Sequence, residues 1–167
     1  ILSMMNRRYT REQYLEKVAL LRRENPEAEI TTDLIVGFPT ETEEDFAGTH
    51  SLVEEADFSS AFTFVYSPRT GTKAATMEGQ IPEEVSKERI ARLIGRVNEN
   101  TRRKSERYVG KTIEILCEDF DAKKRLYLGR EPLGRMGYFA SAENCVGKFV
   151  QMKVTRANGV SLYGELI

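Results

Sequence analysis

The most informative stretch of the chain runs from Ile30 to Phe46 and reads ITTDLIVGFPTETEEDF. Its first part, residues 30–36, is rich in β-branched residues and nearly continuous in its apolar part, which is the pattern of a parallel strand buried on both faces. Gly37 and Pro39 interrupt that pattern. Thr42 then supplies the N-cap of a helix whose first turn is acidic, as the helix dipole favours. The stretch therefore predicts a strand that runs directly into a helix.

The segments on either side extend this unit. Thr10 and Gln13 form a predicted capping box at the start of a helix that ends at Asn25-Pro26, and residues 61–66 predict a second strand. The order helix–strand–helix–strand over residues 9–66 is typical of a βαβ unit in a parallel sheet. Because two strands do not make a stable parallel sheet alone, we expect the remaining strands to come from residues outside this chain or from another chain.

The rest of the chain has a different pattern. Residues 67–82 contain prolines and glycines and predict a loop, and residues 82–107 predict a long connector helix with a basic second half. From Lys111 the apolar period changes to two, which with frequent glycines predicts a small closed barrel. Its five predicted strands are 112–117, 125–128, 137–140, 149–154 and 160–166. The expected fold is α/β followed by all-β, in three parts: 1–81, 82–107 and 108–167.

Composition narrows the class of protein. The 167 residues are 40% hydrophobic and 31% charged, which indicates a globular chain and not a disordered tail. The longest apolar run is too short for a bilayer and no secretory leader is visible, so we expect a cytoplasmic protein. Since the first residue is Ile1, we expect a piece of a longer protein. Cys117 and Cys145 form neither a disulfide framework nor a zinc site.

The net charge of −1 conceals an asymmetry along the chain. Residues 1–82 hold 8 Lys or Arg against 14 Asp or Glu, whereas residues 83–107 hold 8 against 5 and residues 108–167 hold 9 against 7. A basic C-terminal half favours a polyanionic partner. The alternative is a solvated helix face with ordinary surface lysines.

Two candidate sites follow the two predicted parallel strands. Gly37 and Pro39 follow the first, and a loop with Ser67 and Arg69 follows the second. Ligands of α/β barrels and open α/β sheets bind at the carboxyl ends of the strands. Either segment is equally consistent with an ordinary turn. His50, the lone histidine, borders the predicted buried helix stripe, so we expect a structural role for it.

A third candidate site lies in the predicted barrel. Its basic residues alternate with aromatic ones, which suits RNA because charges contact phosphates while rings stack on unpaired bases. The alternative is that the aromatic residues simply fill the core of a small barrel. The residues concerned are Lys123, Lys124, Arg125, Arg130, Arg135, Tyr127, Tyr138 and Phe139.

Taken in order, these motifs resemble the methylthiotransferases of the radical SAM superfamily. The resemblance is carried by residues 8–10, 33–39, 41–46 and 64–75. The Ser67-Pro68-Arg69 form, followed by Pro82-Glu83-Glu84-Val85, most resembles the MiaB type, which methylthiolates N6-isopentenyladenosine beside the tRNA anticodon. Residues 108–167 resemble the TRAM domain of that family, an OB-like RNA-binding barrel.

The resemblance implies a larger enzyme with two [4Fe-4S] clusters. Three cysteines of an N-terminal domain hold one cluster, and a Cys-x-x-x-Cys-x-x-Cys motif in a partial TIM barrel holds the other together with S-adenosylmethionine. None of these six cysteines is in the present chain, which therefore resembles the C-terminal part: the last barrel strands, the connector and TRAM. We expect this chain alone to carry no cluster and no catalytic residue, and to be inactive.

Site residues follow from the same resemblance. The S-adenosylmethionine side maps onto Ile35, Gly37, Phe38 and Pro39, with Ser67 and Arg69 near that cofactor or the target base. The tRNA side, facing an anticodon stem-loop, maps onto Lys124, Arg125, Tyr127, Arg130, Arg135 and Phe139. The chain departs from the family at three positions: Thr40 stands where Gly is usual, and Glu131 and Gly134 replace Thr and Asn in Gly-Arg-Thr-x-x-Asn-Arg.

Other functions stay open at this point. Two sister activities modify threonylcarbamoyl-adenosine in tRNA or an aspartate of a ribosomal protein, although the Ser-Pro-Arg loop favours the isopentenyl type. A rival of another class is a non-catalytic RNA-binding module whose βα half is a docking platform. A Cys-x-x-x-Cys-x-x-Cys stretch upstream in the gene would decide for the enzyme. We also expect self-association through the unpaired sheet region, where Ile35 and Val65 would be uncovered.

Overall fold

The computed structural model describes residues 1–167 as three α-helices, one short 3₁₀ helix and seven strands. The chain divides into two compact units, Ile1–Asn100 and Thr101–Ile167, and the boundary lies inside the longest helix. None of the helices combines the length and the apolar character needed to cross a membrane. The elements are α1 Arg11–Glu24, β1 Thr31–Val36, α2 Glu43–Glu55, β2 Ser60–Val65, the 3₁₀ helix Lys73–Thr76, α3 Glu83–Glu106, β3 Thr112–Asp121, β4 Leu126–Arg130, β5 Met136–Phe139, β6 Phe149–Asn158 and β7 Ser161–Leu166.

The first unit contains the predicted helix–strand–helix–strand order. Strands β1 and β2 pair in parallel from Thr31 opposite Ser60 to Val36 opposite Val65. The predicted capping box of α1 is confirmed, and α2 has one as well, because Thr42 and Asp45 exchange hydrogen bonds. One face of the sheet packs on α2 and α3 in a core formed by Leu34, Val36, Phe46, Val53, Leu93 and Val97.

The prediction that β1 is buried on both faces is wrong. Leu34 and Val36 are buried, whereas Asp33 and Ile35, which point to the other face, are exposed. Since the helices cover only one side of this two-stranded sheet, successive residues alternate between core and solvent. The apolar side chains of the open face are Ile35, Phe62 and Phe64, of which Phe62 is 71% exposed.

Helix α3 also differs in detail from its prediction. The helix begins at Glu83, one residue after the predicted start, and the Ser86 N–H donates to the Pro82 carbonyl at 3.1 Å. Proline therefore stands at the cap and not inside the first turn. Of the apolar residues of α3, Leu93 and Val97 are buried, whereas Val85 and Ile94 are exposed.

The second unit contains the predicted five-stranded closed barrel, in the order β3-β4-β5-β7-β6. Only the β5–β7 pair is parallel. The interior is filled by Ile115, Phe139 and Met152 with their neighbours, and glycines make room for them. A Cβ on Gly137 would lie 2.6 Å from the Ile115 Cδ1 atom, so a larger residue there would make the Ile115 side chain shift.

Candidate functional site

The turn after β1 is held by a buried ion pair. The Gly37 N–H donates to the Glu41 carboxylate at 2.7 Å, and the Arg89 guanidinium donates to the same oxygen at 2.8 Å. Both charged side chains are almost completely buried. Gly37 has φ +76°, and a Cβ there would approach the Ser86 Oγ to 2.5 Å, so both the conformation and the close helix require glycine.

Three of the six predicted cofactor-side residues form this turn rather than a surface. Gly37, Phe38 and Pro39 are buried, and only Ile35 presents its side chain, 37% exposed, on the open face of the sheet. The Phe38 ring packs edge-on against Tyr66 with centroids 5.3 Å apart. The Tyr66 hydroxyl is buried there without a hydrogen-bond partner.

The loop after β2 carries the other two predicted residues, and both are exposed. Ser67 directly follows Tyr66, whose N–H donates to the Val36 carbonyl at 2.8 Å and so continues the strand pairing. The Arg69 carbonyl accepts the Thr72 N–H at 3.1 Å and its hydroxyl at 2.8 Å. These bonds fix the backbone of the loop and leave the guanidinium of Arg69 in solvent.

The first departure from the family pattern, Thr40, lies in a backbone conformation that glycine would adopt more easily. It has φ +69°, a left-handed conformation that is unfavourable for a β-branched residue and easy for glycine. Its N–H donates to the Gly79 carbonyl at 2.8 Å, which holds the residue in that conformation. The turn geometry is thus one that the usual glycine would adopt without strain.

The lone histidine and the two cysteines are all at least partly buried. His50 is half-buried beside Phe46, and its pKa is lowered by burial and by the charges of Arg96 and Arg92, so its imidazole is neutral near pH 7. The structure thus places His50 at the border of the buried helix face, as predicted. Burial raises the pKa of the Cys117 thiol, which disfavours its thiolate, and Cys145 is buried in the same barrel core.

The β3–β4 hairpin of the barrel presents the basic triplet Lys123, Lys124 and Arg125. Its turn is organised by Asp121, whose carboxylate accepts the N–H groups of Lys123 and Lys124 at 3.0 Å each. Arg125 closes the turn with φ +56°. All three cationic side chains are exposed at this hairpin end.

Arg130 lies on a partly apolar shelf. It pairs across the sheet with Leu116, which pairs with Phe149 on its other side. Leu116 is 38% and Phe149 68% exposed, and with Arg130 they line an open depression of about 310 Å³. Sequence reasoning missed both apolar residues, although their place at outward positions of alternating strands was the available signal.

The other three predicted RNA contacts are turned inward. Phe139 is 1% exposed in the barrel core, and Tyr127 stacks on it and packs against Phe120. Arg135 is buried: it donates to the Ser105 hydroxyl at 2.6 Å and lies over the Tyr108 ring. The two rings therefore contribute to the core of the barrel, and the Arg135 side chain is held inside the protein.

The β4–β5 turn accounts for the other two departures from the family pattern. The buried Glu131 carboxylate accepts the N–H groups of Leu133 and Arg135 at 2.9 Å each. Gly134 has φ +92°, a conformation that glycine adopts readily. The replacements thus form a self-contained hairpin turn in which glutamate caps the backbone.

Comparison with known proteins agrees with this architecture. Residues 106–167 match the TRAM domain family, which covers the end of α3 and the whole barrel. The chain is 47% identical over its entire length to a tRNA-2-methylthio-N(6)-dimethylallyladenosine synthase of Clostridium novyi, of which it covers 37%. Proteins of the same name from Halalkalibacterium halodurans and Caldicellulosiruptor saccharolyticus are 46% and 44% identical, with 31% and 36% covered. The chain spans about a third of the length of these relatives and matches their C-terminal portion.

Proposed function

We propose that the chain is the C-terminal part of a tRNA methylthiotransferase. The proposal rests on the match of the whole chain to the C-terminal portion of such enzymes. The methylthiotransferase resemblance predicted from the sequence motifs is confirmed by the same match. In the proposed function the intact enzyme adds a methylthio group to N6-isopentenyladenosine beside the anticodon, in the cytoplasm. This chain binds the tRNA and completes one wall of the cofactor pocket.

The RNA-binding part of the proposal is supported by the barrel surface. Exposed cations at the β3–β4 hairpin, Lys124 and Arg125 among them, provide charge for phosphates. The shelf formed by Arg130, Leu116 and Phe149 provides an exposed apolar surface beside a guanidinium that pairs with Glu118 at 3.4 Å. Phe149 is the most exposed aromatic side chain of the barrel, which suits stacking on an unpaired base.

The cofactor side of the proposal is supported by the open sheet face and the turn beside it. Ile35 and Phe64 present apolar surface that suits an adenine ring. These features fit S-adenosylmethionine, which in the family supplies the radical chemistry and the methyl group. Ile35 and the backbone near Gly37 would hold it, while Ser67 and Arg69 would lie near it or near the target base. The cluster-binding cysteines lie elsewhere in the intact enzyme, so the isolated chain is inactive.

Salt-dependent RNA binding tests the proposal. Fluorescence anisotropy with a labelled anticodon stem-loop is measured at several salt concentrations for the chain, for Arg130→Ala and for Phe149→Ala. We expect Phe149→Ala to weaken binding about tenfold, since stacking contributes about 1–3 kcal/mol per base. Lys87→Ala, an exposed cation of α3 in the first unit, serves as the control and leaves binding unchanged. No binding by the unmodified chain would contradict the RNA role and favour the ribosomal-protein sister activity.

Self-association of the chain is a separate expectation of the same proposal. The open sheet face exposes Phe62 and Phe64, and an exposed apolar face of this kind promotes association when nothing covers it. We expect light scattering to show a mass that rises with concentration, and Phe62→Ser to reduce that rise. Phe149→Ser, equally exposed but on the barrel, is the matched control. A constant monomer mass at high concentration would contradict the expectation.

A further inference from the structure

Two stacked tyrosine rings, flanked by a cation at each end, form a row on the outer surface of the barrel. Tyr138 of β5 pairs with Tyr163 of β7, and the two rings are stacked with centroids 5.1 Å apart and planes at 17°. The Lys124 ammonium lies 4.9 Å from the Tyr138 ring centroid, and the Arg156 guanidinium lies 4.0 Å from that of Tyr163. We name these four side chains, Lys124, Tyr138, Tyr163 and Arg156, the tyrosine row.

The position of Arg156 depends on a β-bulge. Along β6, Met152 and Val154 point into the core, so simple alternation would also turn residue 156 inward. The register shifts between Val154 and Arg156, because Val154 pairs with Gly164 and Arg156 with Tyr163. The extra residue turns Arg156 to the outer surface, directly over the tyrosine. Bulges commonly redirect a side chain in this way at functional surfaces.

The tyrosine row presents hydrogen-bond donors to solvent. Its two cations are exposed, whereas the tyrosine rings are half-buried and hold the cations by cation–π contacts. Neither tyrosine hydroxyl has a partner within the protein, and neither is buried. A cation–π contact does not neutralise the charge, so each end of the row keeps its N–H donors. Lys124 forms one ion pair, with Asp121 at 3.4 Å, in which the lysine side chain is exposed and the aspartate half-buried.

We propose that the tyrosine row binds the RNA backbone, with Lys124 and Arg156 on separate phosphates and the tyrosine hydroxyls donating between them. Its chemistry selects a polyanion with regularly spaced acceptors. Holding both cations against rings reduces the rotamer freedom that they lose on binding. The inference rests on the proposed function, because it identifies where on the barrel the RNA backbone of that substrate lies.

The test compares paired substitutions in the same stem-loop titration. Lys124→Gln/Arg156→Gln removes both charges, and we expect about tenfold weaker binding at physiological salt. The slope of log affinity against log salt should fall by about 1.4, because each single-strand phosphate contact contributes about 0.7. Lys153→Gln, an exposed cation elsewhere on β6, is the control and should change affinity by less than about twofold.

Tyrosine variants separate the ring from its hydroxyl. We expect Tyr163→Phe to weaken binding about twofold by loss of one donor, and Tyr163→Leu about fivefold because the support of Arg156 is lost too. Far-UV circular dichroism and thermal melting verify that each variant is folded.

Three outcomes are distinguishable. A weaker affinity and a lower salt slope for the double variant support the tyrosine row. If the chain binds RNA but the double variant has the affinity and slope of Lys153→Gln, this inference is overturned and the proposed function stands. If the unmodified chain binds no RNA, both fail.

Discussion

The two units of the chain use their strands in opposite ways. The barrel closes on itself, so its apolar side chains reach 0–1% exposure at Ile115, Met152 and Phe139. The sheet of the first unit has two strands and one covered face, and its other face exposes Phe62 and Phe64. In a closed barrel every strand has a hydrogen-bonding partner on both sides. An open sheet has unpaired edges, so its stability depends more on buried ion pairs and on what packs against its faces.

Breaking the buried Arg89–Glu41 ion pair of the first unit should have the largest effect on stability. Arg89→Met leaves the buried Glu41 carboxylate without its ion-pair partner, so we expect about 3–5 kcal/mol loss of unfolding free energy. Urea unfolding followed by circular dichroism measures this loss, and hydrogen exchange locates it at β1. The matched control is Lys87→Met on the same helix, where the Glu83 pair is exposed and should contribute less than about 1 kcal/mol.

The double variant Glu41→Gln/Arg89→Met sharpens this result. It removes both charges, so its cost should be well below that of Arg89→Met alone. Equal costs for the two variants would show that packing of the arginine, and not the unpaired charge, holds the turn.

Closure of the barrel is tested by Gly129→Ala. A Cβ there would collide with the backbone carbonyl of Leu116 on β3, and a backbone atom cannot move aside as a flexible side chain can. We expect about 3 kcal/mol of destabilisation, measured by urea unfolding and by loss of amide protection in β3 and β4. Gly95→Ala is the control, because nothing lies within 4 Å of that position on α3. A barrel as stable as the unmodified one would contradict tight closure.

The strands of the barrel could be predicted from the sequence, whereas the burial of individual side chains could not. Period-two patterns and glycines were sufficient for five barrel strands, since alternation is a local signal. The same alternation left Phe139 ambiguous, because Tyr138 and Phe139 are adjacent and only the register decides which one points inward. Burial of Arg135 depends on Ser105 and Tyr108, thirty residues away in the case of Ser105, so no local pattern indicates it.

Arg156 was missed for a related reason. The predicted strand ended at Val154, whereas β6 continues through a bulge to Asn158. In the first unit, the adjacent apolar residues Leu34, Ile35 and Val36 at the end of β1 predicted burial on both faces, because successive residues of a strand point to opposite faces. The structure of this chain covers only one of those faces.

Relief of backbone strain gives a smaller effect of opposite sign. Thr40 has φ +69°, which costs an L-residue about 1–2 kcal/mol, and glycine avoids this cost but loses more chain entropy on folding. We expect Thr40→Gly to raise the unfolding free energy by about 0.5–1 kcal/mol. Thr40→Ala keeps the strained conformation and serves as the control with little change. A destabilised glycine variant would show that contacts of the threonine side chain outweigh the strain.

The smallest expected effect is a pH dependence in the first unit. Burial, with the charges of Arg96 and Arg92, lowers the pKa of His50 below its ordinary 6.5. As pH falls through that value, the unfolded chain binds a proton that the folded chain does not, so the unfolding free energy decreases. Urea midpoints at about pH 7.5 and about pH 5.5 should therefore differ more for the unmodified chain than for His50→Gln, which cannot titrate in this range.

The difference should be smaller than the Thr40→Gly effect, because the imidazole is only half-buried and solvent reduces the repulsion by the two arginines. An equal pH dependence in both proteins would assign the titration to other groups, such as the capping carboxylate of Asp45, whose pKa is lowered by hydrogen bonds from Thr42 and whose contribution is lost only at more acidic pH.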